Sequence, residues 1–267
     1  GTSVAPASHA GGLPVVKLTC GALVTQSLKL KTDIGPCPDD GIIVAADDLT
    51  IDLGGHRLIG SGEDGSGVGT KALRKNVTIK NGTIQRFYTG VYLTGATDFV
   101  LKNLKIKKNT FRGIGLINVN DTTIQDSRIN RNGSAGIGMQ NAKGLQIVRN
   151  LVNRNGGSGI VNNLSETNYI AENTVTRNAD FGIQVINSKG ILVFRNVVNR
   201  NGEDGIRISE PTGQFVSENT AKENGFDKGV DDDHGLGISA ALNTPGHSNV
   251  VAGNDDPSQC LPAYLCS

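Results

Sequence analysis

GIGLINVNDTTIQDSRINRNGSA, residues 113–135, is followed directly by three segments of the same length and pattern: GIGMQNAKGLQIVRNLVNRNGGS (136–158), GIVNNLSETNYIAENTVTRNADF (159–181) and GIQVINSKGILVFRNVVNRNGED (182–204). A glycine opens each segment, and glycines at this 23-residue interval run from Gly67 to Gly205. With that glycine as position 1, apolar residues recur at positions 2, 12 and 17. Three short strands per repeat fit this spacing and a helix does not. The period therefore predicts a solenoid with one turn per repeat.

Asparagines recur at two further positions of the repeat. Position 20 is occupied by Asn109, Asn132, Asn155, Asn178, Asn201 and Asn224, and position 15 by Asn150, Asn173, Asn196 and Asn219. Asparagine tolerates the left-handed backbone of a sharp turn, and its amide can bond the same group one turn away. The two rows therefore predict asparagine ladders in an all-β, right-handed parallel β-helix of about eight rungs with three short strands per rung.

Composition agrees with one solenoid domain. The 267 residues include 36 glycines, no tryptophan and only 4% aromatic residues, which predicts a thin aliphatic core. We expect residues 1–19 to form a leader or N-terminal cap, residues 20–254 the β-helix and residues 255–267 a C-terminal tail. A net charge of +1 does not call for a nucleic-acid partner, and no apolar run reaches the roughly 18 residues of a membrane span.

Four cysteines fall into two local pairs, Cys20 with Cys37 and Cys260 with Cys266. Two disulfides at the ends of a solenoid would resist fraying where stacking partners run out. This arrangement favours a secreted, extracellular protein. The alternative is a cytosolic chain with four reduced thiols.

The beginning of the chain carries a resemblance to a known group. The stretch Cys37–Gly60, CPDDGIIVAADDLTIDLGGHRLIG, followed by NVTIKNGTIQRF, resembles the opening rungs of bacterial secreted proteins in the pectate-lyase-like superfamily. The resemblance extends from about Cys20 to Asn254. It implies the β-helix fold and a function among polysaccharide lyases, epimerases, hydrolases and members without established activity. No lyase or epimerase motif can be transferred residue by residue.

Cations repeat along one edge of the predicted solenoid. They are Lys105 and Arg128 at position 16 and Lys108, Arg131, Arg154, Arg177 and Arg200 at position 19, before Glu223. Their spacing along the axis would be about 4.8 Å, which suits an acidic polysaccharide, so we predict that Lys105, Arg128, Arg131, Arg154, Arg177 and Arg200 bind substrate. The alternative is a solvated row that prevents edge pairing and supports solubility.

Two other outward rows predict contacts of different kinds. Position 14 alternates in sign from Asp126 to Glu218, which predicts ion pairs between rungs. The second strand presents apolar residues outward: Val148, Tyr169, Leu192, Phe194 and Phe215. We expect the C-terminal tail or a second subunit to cover this face, the latter giving a homo-oligomer, with a ligand groove as a further alternative.

Two insertions interrupt the period, and insertions in solenoids often carry function. The first, SGEDGS after Gly60, lengthens one rung to 26 residues; the second, GFDKGVDDDH after Asn224, lengthens another to 30, with the next rung expected to begin at Gly235. Arg207 should project outward one rung before the second insertion, near Glu203 and Asp204. We therefore predict a site where the insertion meets Arg207.

Two kinds of chemistry suit the second insertion. In the first, Arg207, His234 and Asp232 are catalytic: a cation neutralises a uronate carboxylate while a base removes the C5 proton, giving β-elimination or epimerisation. In the second, Asp227, Asp231 and Asp233 bind Ca²⁺, which is an optional ligand rather than a required cofactor. A hydrophilic loop without a special role is the plain alternative.

These observations predict a secreted β-helix protein that acts on an acidic, uronic-acid polysaccharide, as a lyase or epimerase. One alternative is a noncatalytic glycan-binding or adhesive solenoid at a cell surface. Another is an enzyme with a small, non-polymeric substrate.

Overall fold

The computed structural model, which describes residues 12–209, 213–226, 235–240 and 244–266, is a parallel β-helix of about ten turns. Every strand pairing in the described ranges is parallel, and each turn contributes strands to three faces. The eight rungs expected from the glycine signature are too few, because rungs at both ends stack without that signature. No helix in the described ranges is long and apolar enough to span a membrane.

The first face is built from the strands that follow the repeat glycines. Its strands are Ala22–Val24, Ile42–Val44, Ser66–Thr70, Thr89–Thr94, Ile114–Ile117, Ile137–Gln140, Ile160–Asn163, Ile183–Ile186, Ile206–Ser209, Ile238–Ala240 and Cys260–Leu261.

The second and third faces are joined by two long strands, Arg74–Gln85 and Ala96–Lys107, which run across both. The other strands of the second face are Val15–Val16, Leu28–Leu30, Leu49–Asp52, Thr123–Gln125, Gln146–Val148, Tyr169–Ala171, Leu192–Phe194 and Phe215–Ser217. The other strands of the third face are Ile34–Cys37, Arg57–Gly60, Arg128–Asn130, Leu151–Asn153, Thr174–Thr176, Val197–Asn199, Thr220–Lys222 and Val250–Ala252.

The register confirms the repeat and both insertions. Ile137 pairs with Ile160 and Ile160 with Ile183, a constant offset of 23 residues. Ile42 pairs with Val68, which confirms the 26-residue rung. After the second insertion, however, Ile206 pairs with Ile238, so the new rung begins at Gly237 and not at Gly235. The rung that carries the insertion is therefore 30 residues long when measured on the third face, but 32 on the first.

The core is aliphatic, as composition predicts. One inward residue per strand, such as Ile147, Ile170 and Val193, stacks on its equivalent one rung away and is fully buried. Burying a side chain of this size contributes about 1.5–3 kcal/mol, but only when a neighbouring rung covers it. The aromatic members of the described core are Phe87 and Phe99.

Both predicted asparagine ladders are present. Along the first, the side-chain amide of each asparagine donates to the side-chain oxygen of the next, as from Asn178 to Asn201 at 3.0 Å. The second ladder has the same pattern, as from Asn173 to Asn196 at 3.0 Å. The ladders continue beyond the predicted residues to Asn254 and Asn249. Each buried amide is thus satisfied inside the turn, where water has no access.

The two ends are closed by the predicted disulfides, Cys20–Cys37 and Cys260–Cys266. A short 3₁₀ helix, Ala263–Cys266, follows the last strand, and its Leu265 is fully buried in the core. Asn249 donates to the Leu265 carbonyl at 2.7 Å. The described part of the tail therefore caps the end of the coil, and the expectation that it covers the second face is wrong.

Candidate functional site

Two cavities lie on the outward surface of the first face, and we call the strip of surface that contains them the first-face groove. Its floor is the residue two positions after each repeat glycine: Gly69, Tyr92, Gly115, Gly138, Val161, Gln184, Arg207 and Ser239. Its wall is the pair of residues before each repeat glycine: Tyr88–Thr89, Phe111–Arg112, Ser134–Ala135, Gly157–Ser158, Asp180–Phe181 and Glu203–Asp204. Large side chains on this wall flank two rungs whose wall residues, Ser134–Ala135 and Gly157–Ser158, are small.

A cavity of about 190 Å³ occupies that gap. It is lined by Arg112, Ser134, Ala135, Gly138, Met139, Gln140, Gly157, Ser158, Val161, Asn163 and Asp180. The Arg112 side chain reaches one rung forward, so that a Cβ at Gly138 would lie 3.5 Å from its Cζ. The Asp180 side chain reaches one rung back, with Oδ2 3.4 Å from a Cβ placed on Gly157. Opposite charges therefore enclose a small polar space.

Arg112 is equipped to bind an anion. Its Nε is buried and has no hydrogen-bond partner, and its Cζ lies 4.9 Å from the centre of the Phe111 ring. Stacking on Phe111 holds the guanidinium without using its N–H donors. Because a buried donor without a partner is costly, an oxyanion that accepts from Arg112 would gain a strong charge-assisted bond.

The opposite end of the cavity offers hydrogen-bond acceptors. The side-chain oxygen of Asn163 is buried without a partner, and Asp180 also lines the cavity. Acceptors of this kind bind hydroxyl groups. The cavity can thus take a small ligand that carries a negative group at one end and hydroxyls at the other.

A second cavity, of about 400 Å³, adjoins the first toward the N-terminus. Tyr88, Tyr92 and Phe111 line it, and Arg112 lines both cavities. The Tyr88 and Phe111 rings are stacked, with centroids 5.1 Å apart and an interplanar angle of 21°. The groove therefore has an aromatic section and a polar section that share one cation.

Arg207 lies further along the same floor, as predicted, between Gln184 and Ser239. Its Nη1 donates to Oδ2 of Asp204 at 3.2 Å, and its Cζ lies 5.5 Å from the Phe181 ring. The predicted proximity of Arg207 and Asp204 is therefore confirmed. His234 and Asp232, predicted as catalytic partners of Arg207, and Asp227, Asp231 and Asp233, predicted as calcium ligands, lie outside the described residues.

Asp204 is fully buried and links Arg207 to the chain that returns from the insertion. Its Oδ1 accepts hydrogen bonds from the backbone amides of Gly235 and Leu236, at 2.9 and 2.8 Å. Burial raises the pKa of the Asp204 carboxyl, although both hydrogen bonds and Arg207 act in the opposite direction. The two ends of the insertion meet here, because Gly225 lies against Gly235.

The basic row lies on a different surface from the groove. Lys105 and Arg128 are neighbours on the third face, and the position-19 cations are exposed at the turn that follows it. Lys108, Arg131, Arg154, Arg177 and Arg200 all have left-handed backbone conformations, with φ between 53° and 57°. None of them lines either groove cavity, whereas Arg177 and Arg200 line a separate cavity with Phe226. The structure does not bring this row together with Arg207.

The alternating charges at position 14 form ion pairs between rungs, as predicted. Arg149 bonds Asp126 at 2.9 Å, and Arg195 bonds Glu218 at 2.7 Å. All four side chains are more than a third exposed, so each pair adds little to stability and mainly favours the correct stacking register.

Arg112 and Asp180 were not predicted from the sequence. The available signal was the variation at the wall positions, where Phe111–Arg112 and Asp180–Phe181 are separated by Ser134–Ala135 and Gly157–Ser158. Within the described ranges, His, Cys, Asp and Glu side chains form no group of three or more that could hold a metal ion.

Two family models match the chain. Residues 32–175 match the family described as the right handed beta helix region, and residues 132–255 match the periplasmic copper-binding protein family NosD. No curated protein sequence matches the chain.

Several solved structures are similar in fold. The Dettilon tailspike protein gp208 has a TM-score of 0.67 at 15% identity, over 89% of this chain and 51% of its own. The A-module of the mannuronan C-5 epimerase AlgE4 of Azotobacter vinelandii has a TM-score of 0.64 at 15% identity, over 90% and 85%. The periplasmic alginate epimerase AlgG has a TM-score of 0.59 at 15% identity, over 90% and 77%. The chain thus spans about half of the tailspike protein, and these identities establish the fold alone.

Proposed function

The chain belongs to the right-handed β-helix family, and we propose that it uses this scaffold to bind an acidic polysaccharide along the first-face groove, with one uronate residue in the cavity between Arg112 and Asp180. The groove runs parallel to the solenoid axis, so a linear polymer can contact successive rungs. The proposed ligand is a sugar chain that carries carboxylates.

The observation that carries this proposal is the state of Arg112. Its Nε is buried without a hydrogen-bond partner, and the floor beneath it is glycine at Gly115 and Gly138. A cation that served only packing would have its donors satisfied or exposed to water. Arg112 lines a cavity of about 190 Å³, in which a uronate carboxylate could accept hydrogen bonds from the guanidinium.

The other end of the cavity favours a sugar acid over a simple anion. Asn163 and Asp180 supply acceptors for ring hydroxyls, and Gln140 supplies both donors and acceptors. A phosphate or sulfate ion would bind Arg112 but would leave the buried side-chain oxygen of Asn163 without a hydrogen bond. The fold neighbours support a glycan ligand, since the names of two of them describe epimerases of mannuronan and alginate.

For catalysis, we propose β-elimination or C5 epimerisation at the Arg207 end of the groove, with His234 and Asp232 as partners. Both reactions need a compensated uronate carboxylate and a base at the C5 proton. Calcium held by Asp227, Asp231 and Asp233 would add further charge compensation. Arg207 lies on the floor of the same groove that Arg112 lines, which supports this placement.

A noncatalytic glycan-binding protein is the second candidate. Asp204 holds the backbone at Gly235 and Leu236 while it pairs with Arg207. These contacts hold the chain in place where it returns from the insertion. A structural role for Arg207 favours a groove that binds a glycan without catalysing a reaction at Arg207.

The two disulfides are typical of a protein that folds in an oxidising compartment. We propose that the protein works in the periplasm or outside the cell, where acidic polysaccharides are accessible. The basic row, Lys105, Arg128, Arg131, Arg154, Arg177 and Arg200, would attract the polymer electrostatically from the neighbouring surface.

The test is calorimetric titration with oligogalacturonates and oligomannuronates. We expect Arg112→Gln to lose binding and Arg86→Gln, at an exposed arginine that lines neither groove cavity, to retain it. Equal affinities for both variants and the wild type would contradict the proposed site. Catalysis is followed on the same polymers, with calcium or with a chelator, by the ultraviolet absorbance of an unsaturated uronate and by exchange of the C5 proton with deuterium. If a polymer binds but gives neither the absorbance change nor the deuterium exchange, the noncatalytic glycan-binding protein is the remaining candidate.

A further inference from the structure

The corner at the N-terminal end of the groove carries an unusual concentration of aromatic residues. The chain has four tyrosines, seven phenylalanines and no tryptophan. Three of these eleven, Tyr88, Tyr92 and Phe111, line the cavity of about 400 Å³ beside Arg112. These three aromatic residues lie at the surface, where they are not needed to pack the core.

Stacking of the solenoid does not require aromatic rings here. Tyr88 and Phe111 occupy equivalent places in successive repeats, and the same place is held by Ser134, Gly157 and Asp180 in the next three. Those rungs stack with the same register, since Ile137 pairs with Ile160 and Ile160 with Ile183. The aromatic pair is therefore a local departure from what the fold needs.

The geometry presents one aromatic surface to a ligand. Tyr88 is 45% exposed and stacks on Phe111, which in turn contacts the Arg112 guanidinium. Phe111 thus supports one face of the Tyr88 ring, while much of that ring remains accessible to a ligand. Tyr92 lies on the floor of the same cavity, and its strand neighbour one rung back is Gly69, which has no side chain.

We propose that this cavity is a second sugar subsite, in which the ring of the neighbouring residue of the same polysaccharide stacks on Tyr88. The subsite rests on the proposed function, because Arg112 lines both cavities and would hold the carboxylate of the adjoining uronate. An aromatic surface with polar edges suits a sugar ring, which has an apolar face of C–H groups and a rim of hydroxyls. The ligand would therefore span at least the polar and the aromatic cavities.

The test measures how the loss of the Tyr88 ring changes affinity for ligands of different length. We would titrate the wild type, Tyr88→Ala and Tyr88→Phe with a length series of oligogalacturonates and a matching neutral series of oligomannosides. Tyr88→Ala should weaken binding of the oligogalacturonates, from the disaccharide upward, by about three- to tenfold, because one stacking contact is lost. Binding of the monosaccharide galacturonate, titrated as the shortest member of the series, should stay unaffected, because it fills the Arg112 cavity alone. Tyr88→Phe keeps the ring and should match the wild type.

A second measurement needs no variant. Since the chain lacks tryptophan, its tyrosine fluorescence can be observed directly, and it should change more on binding of the oligogalacturonates than on binding of the monosaccharide galacturonate. Equal loss at every length in Tyr88→Ala, or no loss at all, would overturn the subsite while leaving binding at Arg112 intact. Binding of the neutral series alone, lost with Tyr88, would support the aromatic subsite and overturn the uronate site. No binding of either series would overturn both.

Discussion

A Cβ atom added to Gly138 would lie 3.3 Å from both Cδ and Nε of Arg112. The guanidinium occupies its place over the groove because this floor position has no side chain. One rung further on, the equivalent residue is Val161, so the strand itself tolerates a branched side chain there. The strand therefore does not require glycine at Gly138, but the observed position of the Arg112 side chain does.

We expect Gly138→Val to displace Arg112 and to weaken oligouronate binding by about tenfold or more, equivalent to about 1.4 kcal/mol. Gly138→Ala should have a smaller effect, since the arginine side chain can shift by a few tenths of an ångström. Calorimetry measures both affinities. Gln184→Val, at the same floor position two rungs away, is the control. If Gly138→Val binds as tightly as the wild type, the placement of Arg112 does not control binding.

Asn178 has a central position in the first asparagine ladder. It donates to Asn201 at 3.0 Å, accepts from the side chain of Asn155 at 2.9 Å and is fully buried. Asn178→Ala leaves buried partners without hydrogen bonds and should lower the free energy of unfolding by about 2–4 kcal/mol. Denaturant unfolding measures this change. Asn120→Ala, at an exposed asparagine, should shift it by less than about 0.5 kcal/mol, and equal losses would contradict the ladder's role.

The buried carboxyl of Asp204 predicts a specific pH dependence. Its pKa is raised mainly by burial, so the folded chain binds this proton more tightly than the unfolded chain does. The stabilisation is complete below the ordinary aspartate pKa and is lost as pH rises through the raised value. Asp204→Asn keeps an acceptor for Gly235 and Leu236 but cannot titrate. Its stability relative to the wild type should therefore increase from acid to neutral pH.

Unfolding by denaturant at a series of pH values measures this difference. Arg207 lowers the Asp204 pKa, so Arg207→Gln should move the loss of stability to higher pH. Identical pH profiles for the wild type and Asp204→Asn would show that this carboxyl does not contribute.

The basic row should act on long polymers and not on short ligands. Replacement of Arg131, Arg154 and Arg177 by Gln removes three exposed charges that lie outside the groove cavities. We expect weaker binding of a long polyuronate at low ionic strength, an effect that fades near 0.15 M salt, where the screening length is about 8 Å. Affinity for a short oligouronate should stay unchanged. Unaltered polymer binding at low salt would identify the row as a solvated surface only.

The repeat determined most of the fold in advance. Inward rows, ladder asparagines and the register of the central rungs depend only on position within a period of 23 residues, so the linear pattern specifies them. The terminal rungs were not predicted, because they stack without the repeat glycine. The start of the rung at Gly237 instead of Gly235 was not predicted either, since the pairing of Ile206 with Ile238 depends on where the inserted chain rejoins the stack.

The sequence by itself determined the β-helix, its ladders, its two cysteine pairs and the proximity of Arg207 to Asp204, because each follows from spacing along the chain. Only the tertiary structure decided the groove. Arg112 and Asp180 lie three rungs apart, and they enclose one cavity because Gly138 and Gly157 between them have no side chains to fill it. A cavity is the space that side chains leave when they stack, so no single position of the repeat encodes it.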